Sequence, residues 1–454
     1  MKSFLTTHRN IIGIALFCSI VLLIGTAKMD KNLLAETDNT YKELKLFGDI
    51  IDIIEESYVD PVDSKELILG AIHGMLESLD PHSSFLSPTA YKELRIDTKG
   101  EFGGIGIVIT MEDGLLTVVS PIEGTPAYKA GIKAGDHIIM VDDKHTKKMK
   151  LWEAVKKMRG KKGTTVVITV MRKGFSKPKE FKLERDVIPL QSVRSYTLEP
   201  GYVYLRISSF REGTFEDVLA ALEEHESAEI PVKGLILDLR DNPGGLLPQA
   251  IKVADVFLDE GEIVSIKGRS QTHSKVYSAH SDGKNRAYPI VLLINEGSAS
   301  ASEIVAGALR DHNRALLLGT TSFGKGSVQA VEPLRDGAGL KLTIARYYTP
   351  SGHSIQAKGI EPDVVVKNRL VPESDEPYRH RVKEKDLENH ISAKPDGDSL
   401  KDHKDNVKYL RGVRVPGEKP SEIVKALTTK DNQIIRALQI LRSWQIFSKM
   451  GHQG

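Results

Sequence analysis

Pro289-Ile-Val-Leu-Leu-Ile-Asn-Glu-Gly-Ser-Ala-Ser300-Ala-Ser-Glu303 is an apolar run of strand length that leads into a turn of small residues carrying a serine. The next segment of the same kind, Ala315-Leu-Leu-Leu-Gly-Thr-Thr-Ser-Phe-Gly-Lys325-Gly-Ser-Val-Gln329, ends in a glycine-flanked loop carrying a lysine. A serine on such a turn exposes its hydroxyl at the end of a sheet, and a lysine on a glycine-rich loop can accept the proton of that hydroxyl. The two segments therefore predict a nucleophile, Ser300, that is activated by a general base, Lys325.

Strands and helices alternate around these segments, from Ile188 to Val366. The predicted strands are Val203–Ile207, Gly234–Asp238 and Ile290–Ile294, and the predicted helices are Phe215–Glu224, Leu246–Phe257 and Ser302–Arg310. This order is typical of an α/β core with parallel strands, in which sites lie at the carboxyl ends of the strands. The serine turn and the turn Asn242-Pro-Gly-Gly245 both follow strands, so we expect them to share one edge of the sheet.

The chemistry of a Ser-Lys pair places demands on its surroundings. An exposed lysine is almost fully protonated at neutral pH, so Lys325 must be desolvated and must lack a carboxylate partner if it is to accept a proton. The oxyanion formed in acyl transfer needs two N–H donors. The backbone of Ala301, next to Ser300, supplies one, and we expect the other from Pro243-Gly-Gly245, where glycine permits a close approach of the backbone.

Other interpretations of the same residues stay open at the level of sequence. Serine is a common helix cap, so Ser300 is also a candidate N-cap, and Ser298 and Ser302 are neighbouring candidates for the nucleophile. Lys325 is alternatively a phosphate-binding lysine, although its spacing lacks the Gly-x4-Gly-Lys-Ser/Thr pattern. A Ser-His-Asp triad is a further alternative, but no histidine stands in a patterned turn. The histidines and the lone Cys18 also lack the spacing of a metal site.

The first half of the chain predicts two helices followed by a β-rich module. The helices are Thr40–Tyr58 and Ser64–Leu79, and the module extends from Gly100 to Asp186. Its predicted strands are Ile105–Thr110, Leu115–Val119, His137–Val141, Thr165–Met171 and Glu180–Leu183, with short helices at Ala127–Ala130 and Leu151–Arg159. The glycines of Phe102-Gly-Gly-Ile-Gly-Ile107 allow backbone N–H groups to face a terminal carboxylate, whereas a plain β-hairpin is the alternative for that segment.

Five motifs, in this order along the chain, resemble those of the carboxyl-terminal processing proteases, also called tail-specific proteases. They are Asp238-Leu-Arg-Asp-Asn-Pro-Gly-Gly245, Gly297-Ser-Ala-Ser300-Ala-Ser-Glu303, Phe323-Gly-Lys325-Gly-Ser-Val-Gln329, Ala345-Arg-Tyr-Tyr-Thr-Pro-Ser-Gly352 and Gly359-Ile-Glu-Pro-Asp363. The resemblance covers the chain from about Tyr41 to Val366. It implies that Ser300 is the nucleophile, that Lys325 is the base and that Gln329 orients the lysine. It also implies an oxyanion hole made by Gly245 and Ala301, with Gly244 allowing the turn.

The same resemblance implies a multidomain α/β protein. An N-terminal helical region is followed by a β-rich PDZ domain, inserted before an α/β serine protease core of the crotonase and Clp type, and by a C-terminal helix. The PDZ likeness rests on Phe102-Gly-Gly-Ile-Gly-Ile107 and on Gly131-Ile-Lys-Ala-Gly-Asp-His-Ile-Ile139. It implies that Gly104, Ile105, Gly106 and Ile107 bind the C-terminus of a peptide, which adds to the domain as a strand. The expected boundaries are 1–27 for an export signal or anchor, 40–97 for the helical region, 98–186 for the PDZ domain, 187–367 for the protease core, 368–412 for a charged linker and 413–454 for a C-terminal helical segment.

The implied activity is that of a serine-type endopeptidase acting on proteins or peptides with exposed C-termini, through an acyl-enzyme and without a metal or an organic cofactor. Two rival interpretations remain. An acyl-CoA enzyme of the crotonase type would keep the oxyanion hole but would have no use for a module that reads peptide ends. A scaffold with an inactive core would bind tails without cleaving them, and Ser300, Lys325 and Gln329 argue against that interpretation.

Composition limits the partners and the compartment. The net charge of +2 gives no bulk attraction to nucleic acid, and the single cysteine leaves no disulfide framework. Lys2 and Arg9 precede the apolar run Ile11–Gly25, the layout of an export signal, so we expect an exported protein of the bacterial periplasm or the outer face of the inner membrane. Cleavage of residues 1–27 and retention of that segment as a membrane anchor are both open.

The C-terminal part predicts a charged tether and a final helix. The linker is dense in charge and poor in large apolar residues. The helix predicted over Asp431–Met450 has a broad apolar face that must pack on something. Three partners are open, namely the protein's own protease body, a second protomer in a homo-oligomer formed through the terminal helices, and an adaptor protein.

Overall fold

The computed structural model describes residues 40–112, 114–122, 124–147, 149–284, 286–368, 383–387, 390 and 420–451. The predicted export segment, residues 1–27, and most of the predicted linker, residues 368–412, lie outside these ranges. The chain divides into two compact units, Met1–Leu76 and Glu77–Gly454. Across the described ranges, no helix combines the length and the apolar character that crossing a bilayer requires.

Two helices near the beginning of the described chain confirm the helices predicted there. Helix α1 covers residues 40–57, and helix α2 covers Ser64–Glu77. Their apolar side chains are largely exposed within this single chain, as the exposed fractions of Leu44 (58%) and Met75 (60%) illustrate. Much of the apolar stripe that predicted these helices is therefore exposed in the part of the chain that the structure describes.

A short strand and a third helix lead into the β-rich domain. Strand β1 is Ser84–Leu86, and helix α3 is Pro88–Lys99. Ser87 caps α3 through its side chain, which accepts a hydrogen bond from Ala90 N at 3.3 Å. Proline at the first position and Gly100 at the end, with a φ of 74°, complete a well-delimited helix. This helix was not predicted from the sequence.

The β-rich domain is built on a six-stranded antiparallel sheet. The elements of this region are β2 Glu101–Gly104, β3 Ile107–Glu112, β4 Leu115–Pro121, α4 Pro126–Lys129, β5 His137–Val141, β6 Lys144–His145, α5 Leu151–Met158, β7 Thr165–Met171, β8 Lys179–Glu184 and β9 Asp186–Pro189. Strands β3 to β8 form the sheet, whereas β2 and β9 pair with each other. The five predicted strands are confirmed. The first begins at Ile107 rather than at Ile105, because Gly106 has a φ of 75° and interrupts the extended backbone.

The α/β domain contains a second six-stranded sheet, whose order β10-β11-β12-β15-β16-β19 is parallel except at β10. The elements of this domain and of the C-terminus are β10 Val193–Glu199, β11 Tyr202–Ile207, α6 Thr214–Glu226, β12 Gly234–Asp238, α7 Leu247–Asp255, β13 Glu262–Gly268, β14 Lys275–Ser278, β15 Ile290–Ile294, α8 Ala301–Asp311, β16 Ala315–Gly319, β17 Ser327–Pro333, β18 Gly339–Tyr348, β19 Val364–Val365, α9 Pro420–Lys430 and α10 Asn432–Gly451. Strands β12 and β15 are buried along their whole length because helices cover both faces of the sheet. The predicted parallel α/β core is confirmed.

A third sheet, which was not predicted, lies beside the core. It joins β1, β18, β13 and β14 in that order, and β17 pairs with β18. The loop between β16 and β17 carries Lys325 and is called the lysine loop below. The β17–β18 hairpin begins directly after this loop, and β1 follows the turn Asp80-Pro-His-Ser83. Residues distant in sequence are thereby brought to the edge where the lysine loop ends.

Helices α9 and α10 pack on one face of the parallel sheet. The predicted C-terminal helix is confirmed as α10, and α9 was not predicted. Ile434 and Leu441 of α10 are buried against the sheet, whereas Trp444 and Phe447 are 60% and 69% exposed. The parallel sheet of the same chain therefore covers the first half of this apolar face.

Candidate active site

Ser300 stands between strand β15 and helix α8 in a strained backbone conformation. Its φ and ψ are 54° and −112°, which is unusual for a residue with a side chain. Ser298 and Ser302, the neighbouring candidates, are fully buried, and their hydroxyls donate hydrogen bonds to the carbonyl oxygens of Leu239 (2.8 Å) and Asn242 (2.9 Å). Ser300 is thus the one serine of the three that is partly exposed at the carboxyl end of the sheet.

Lys325 occupies the loop between β16 and β17 and is half-buried. Burial lowers the pKa of its ammonium below the ordinary value, and the nearby Lys341 ammonium lowers it further. The carboxylates of Glu384, Glu303 and Asp80 oppose this lowering without reversing it. No side chain within the described part of the chain forms an ion pair or a hydrogen bond with Lys325 Nζ. This is the environment that a general base requires.

The buried carboxylate of Glu303 connects the serine turn to the lysine loop. Its Oε2 accepts hydrogen bonds from the backbone N–H of Ser300 (2.8 Å) and of Lys325 (2.9 Å). Its Oε1 accepts from Ser322 Oγ (2.5 Å) and from Gly324 N (2.7 Å). One carboxylate therefore fixes both segments, because each of its oxygen atoms binds two donors. Sequence analysis placed Glu303 in a motif but assigned it no role, although a glutamate three positions after an N-cap is a capping-box signal.

The turn Asn242-Pro-Gly-Gly245 lies against the serine. A methyl group added at Gly244 would be 2.9 Å from both Ser300 Cβ and Ala301 N, and one added at Gly245 would be 2.0 Å from Phe210 O. The Asn242 side chain holds the turn, since its Oδ1 accepts from Gly244 N at 2.9 Å. Within the described ranges, the backbone N–H groups of Gly245 and Ala301 donate to no other residue. Both predicted oxyanion donors thus remain available for a ligand.

Gln329 lies on β17, opposite Thr343 of β18. Its Nε2 is 3.5 Å from Thr343 Oγ1, and it forms no hydrogen bond with Lys325 in the described chain. Thr343 N donates to Ser83 Oγ (3.1 Å), and Ser83 Oγ donates to Asp80 Oδ2 (2.8 Å). The amide is therefore placed next to a small polar network, and its role toward the lysine remains a prediction.

Sequence analysis assigned the turn from Asp80 to Ser83 no part in the site. The structure instead brings it to the lysine loop through β1 and β18. His82, Gln356 and Glu384 form a further polar cluster there, with His82 Nε2 2.7 Å from both oxygens of Glu384. No sequence pattern indicated this cluster, because its members come from three distant segments.

The predicted carboxylate-binding loop joins β2 to β3 in the β-rich domain. Ile105 is buried, and its carbonyl accepts from Ala127 N at 2.9 Å. Gly106 is held by Thr125, whose Oγ1 donates to its carbonyl at 3.1 Å. The N–H groups of Ile105 and Gly106 donate to none of the described residues. Gly104 ends β2 and Ile107 begins β3, so the four predicted residues connect the β2–β9 pair to the first strand of the six-stranded sheet.

Comparison with known families identifies the domains. The profile of peptidase family S41 matches residues 201–366, and that of the PDZ domain matches residues 103–184. A third profile, described as the N-terminal domain of the activating protease CtpB, matches residues 23–89. The protease domain therefore contains the turn that carries Ser300 (the serine turn), the lysine loop and the turn Asn242-Pro-Gly-Gly245 (the glycine turn). The PDZ domain contains the predicted carboxylate-binding loop.

Whole-chain relatives agree with the domain profiles. A carboxy-terminal-processing protease of Bartonella bacilliformis is 49% identical over 385 residues, which cover 84% of this chain and 87% of that protein. A carboxyl-terminal-processing protease of Synechocystis is 39% identical over 327 residues, 70% of this chain and 76% of that protein. Among solved structures, a photosystem II D1 C-terminal processing protease is 32% identical, covering 72% of this chain and 94% of that one with a TM-score of 0.42. The chain belongs to the carboxy-terminal processing proteases, serine-type peptidases of family S41, with a PDZ domain ahead of its protease domain.

Proposed function

We propose that this peptidase is an endopeptidase that cleaves peptide bonds with a dyad of Ser300 and Lys325. The neutral amine of Lys325 takes the hydroxyl proton as Ser300 Oγ attacks the carbonyl carbon. Collapse of the tetrahedral intermediate breaks the C–N bond, and the lysine returns the proton to the leaving amine. A water molecule, deprotonated by the same lysine, then hydrolyses the acyl-enzyme and regenerates Ser300.

The observation that carries the proposal is the desolvated Lys325 on a loop tied to the serine turn. Its lowered pKa increases the fraction of neutral amine near physiological pH, and the absence of an ion-pair partner in the described chain leaves Nζ free to accept a proton. Glu303 Oε2 accepts from the backbone N–H groups of both Ser300 and Lys325, which ties the backbone of the serine turn to that of the lysine loop.

Backbone amides would stabilise the oxyanion in this scheme. The N–H groups of Gly245 and Ala301 have no acceptor in the described chain and stand on two turns that touch at Gly244. Preorganised donors of this kind act on charge that develops in the transition state, and losing one typically costs about 10²–10³ in kcat. Gln329, on the hairpin that follows the lysine, would orient the base.

The PDZ domain would select substrates by their C-termini, which we infer to be those of exported proteins. Support comes from the N–H groups of Ile105 and Gly106, which have no acceptor in the described chain, and from the export-type sequence of residues 1–27. The peptide would add to the PDZ sheet as a strand with its terminal carboxylate in the loop from Gly104 to Ile107.

Cleavage assays on an unfolded protein and on a peptide with a free C-terminus test the dyad. We expect Ser300→Ala and Lys325→Ala each to reduce kcat by at least about 10³-fold while the thermal unfolding midpoint stays close to that of the parent. Intact-mass analysis with an activated ester substrate should detect an acyl group on the parent enzyme and none on Ser300→Ala. Undiminished cleavage by either variant would show that Ser300 and Lys325 do not form a catalytic dyad.

Lys161→Ala is the matched control, since Lys161 is an exposed lysine of the PDZ domain. Its turnover should equal that of the parent. Amidating the C-terminus of the peptide substrate tests tail selection separately, and we expect KM to rise with little change in kcat. An unchanged KM would leave the dyad standing and would reject the role of the PDZ loop.

A further inference from the structure

A short segment beyond the protease domain inserts a carboxylate beside the lysine loop. Glu384–Asp386 form a 3-10 turn, and the Glu384 side chain within it is completely buried. His82 Nε2 lies 2.7 Å from both carboxylate oxygens, and Gln356 Nε2 donates to Oε1 at 2.8 Å. The backbone N–H of Glu384 also donates to Phe323 O at 3.2 Å. A charged group without solvent is thus held by side-chain donors from two distant parts of the chain.

One donor of this pocket, Gln356, is hydrogen-bonded to the lysine loop. Gln356 is fully buried, and its Oε1 accepts from Gly326 N at 2.9 Å, so the amide oxygen is committed to the residue after Lys325. That bond orients Nε2 toward Glu384. A methyl group added at Gly326 would lie 2.5 Å from Gln356 N, which shows how closely the two segments pack.

The other donor is fixed by the turn that precedes β1. The backbone N–H of His82 donates to Asp80 Oδ1 at 2.8 Å, and the His82 side chain is only 12% exposed. Neither His82 Nε2 nor Gln356 Nε2 has another acceptor in the described chain. If Glu384 withdrew, two largely desolvated donors would lose their partner. The folded state would then be less stable unless another acceptor took the place of Glu384.

Glu384 also acts on the catalytic base. Burial and Lys341 lower the pKa of Lys325, and the Glu384 carboxylate opposes that effect by favouring the ammonium form. The negative charge of Glu384 is therefore unfavourable for a lysine that must be neutral to accept a proton. The position of Glu384 next to the lysine loop and its electrostatic effect on Lys325 both indicate a less active state of the enzyme.

We propose that His82 and Gln356 form a carboxylate-binding pocket beside the Ser300–Lys325 centre, which Glu384 fills as an intramolecular cap and which a carboxylate of the peptide substrate fills when the cap leaves. The inference rests on the proposed function. The ligand is a carboxylate, supplied either by an acidic side chain or by the terminus of the substrate.

Binding tests the pocket without relying on catalysis. The protein is the full chain carrying Ser300→Ala and Glu384→Gln, and the probe is a fluorescent peptide with the sequence of residues 381–390, blocked at both ends. Anisotropy should show saturable binding that weakens by about tenfold when His82→Ala is added or when the glutamate of the peptide corresponding to Glu384 is replaced by glutamine. Equal binding by the glutamate and glutamine peptides would overturn the pocket.

Two competitor peptides distinguish the sources of the carboxylate. One carries a single glutamate and an amidated C-terminus, and the other carries glutamine and a free C-terminus. Displacement of the probe by the first alone identifies an acidic side chain as the ligand, and displacement by the second alone identifies the terminus. Failure of both to compete would overturn the proposal that substrate takes the place of Glu384.

Activity tests the cap on the otherwise unchanged full chain. With a substrate that has no carboxylate, we expect Glu384→Gln to raise kcat/KM by about tenfold, because the neutral amide binds the pocket less tightly and no longer favours the lysine ammonium. Lys385→Ala, an exposed change in the same turn, should leave kcat/KM unchanged. A fall in kcat/KM, or no change, would show that Glu384 is not a cap.

His82→Ala supplies a second variant that acts from the other side of the pocket. It should raise kcat/KM on the substrate without a carboxylate and abolish any preference for a substrate with one. If Ser300→Ala still cleaves substrate, and the protein that carries both Ser300→Ala and Glu384→Gln binds the probe, the dyad is wrong while the pocket is real. If Ser300→Ala is inactive but the protein that carries both Ser300→Ala and Glu384→Gln does not bind the probe, the dyad stands and the pocket is wrong.

Discussion

The carboxylate of Glu303 accepts a hydrogen bond from the backbone N–H of Lys325 at 2.9 Å. The same oxygen atom accepts from the N–H of Ser300, so a residue buried in the first turn of α8 determines where both candidate catalytic residues stand. All four groups that face Glu303 are donors, so these hydrogen bonds favour the ionised carboxylate, whereas burial favours the protonated form.

Glu303→Gln should therefore reduce kcat strongly without changing the fold. The amide places an NH2 group where the carboxylate accepted two hydrogen bonds, so at least one loop must shift. We expect kcat to fall by about 10²-fold, the scale of a small misplacement of catalytic groups, while KM changes little. Steady-state kinetics on a peptide substrate measure both values. A kcat within twofold of the parent would show that the loops keep their places without this carboxylate.

The stability of the protein should depend on pH through the same residue. Burial raises the pKa of Glu303 to about 7 from an ordinary value of 4.5, although the hydrogen bonds that it accepts oppose this increase. The folded state thus binds a proton more tightly than the unfolded state does. The stabilisation is fully present below about pH 4.5 and is lost as the pH rises through about 7, a change on the order of 3 kcal/mol.

Urea unfolding of the parent and of Glu303→Gln at several pH values isolates this contribution, because other groups cancel in the difference. The free energy of unfolding of the parent, relative to the variant, should decrease between pH 5 and pH 8. A difference that stays constant with pH would contradict the assignment.

Lys341→Met should move the acidic limb of the pH–rate profile to higher pH. The Lys341 ammonium is partly buried and lowers the pKa of Lys325, so removing it allows Lys325, the proposed base, to stay protonated up to a higher pH. The measurement is kcat/KM as a function of pH. Lys161→Met removes an exposed lysine of the PDZ domain and should not move the limb. A shift to lower pH would show that Lys341 does not act on the base by repulsion.

Gly106→Ala should weaken binding of peptide C-termini by at least about tenfold. The φ of Gly106 is 75°, and an added methyl group would lie 2.3 Å from the Thr125 side chain, so the predicted carboxylate-binding loop would have to move. Gly114→Ala is a matched control, because that residue has a φ of 76° but no atom within 4 Å of the added methyl group. Titration of the full chain with a labelled peptide compares the two. Equal affinity for both variants would place peptide binding elsewhere.

Arg240→Met should destabilise the protein by about 3 kcal/mol, the scale of breaking a buried ion pair. The Arg240 guanidinium donates to Asp238 and, at 2.7 Å, to Gln433 of α10, and it pairs with Asp431. Its removal leaves buried acceptors on the sheet and at the start of α10. The measurement is the free energy of unfolding in urea. Lys284→Ala, which breaks an exposed pair with Glu223, should leave it almost unchanged. Equal losses for the two variants would contradict the importance of the buried pair.

Sequence patterns predicted the elements that local periodicity and turn chemistry control. The parallel strands Gly234–Asp238 and Ile290–Ile294 have the predicted bounds, because a strand buried on both faces is a continuous apolar run that ends at polar and small residues. Helices α7, α8 and α10 and the strands of the PDZ domain were predicted to within a few residues for the same reason. Ser300, Lys325 and the glycine turn were visible because each stands at the end of such a run.

Only the tertiary structure revealed the surroundings of these residues. The third sheet, the turn from Asp80 to Ser83 and the pocket around Glu384 bring together segments from both ends of the chain, and local patterns do not encode such pairings. The pKa of Lys325 is likewise set by burial and by Lys341, a residue on another strand. The sequence alone determined which chemical groups stand at the ends of the strands. The packing of distant segments determined their solvation and neighbouring charges, because the energy of an ionisable group depends on its surroundings in space rather than on its position along the chain.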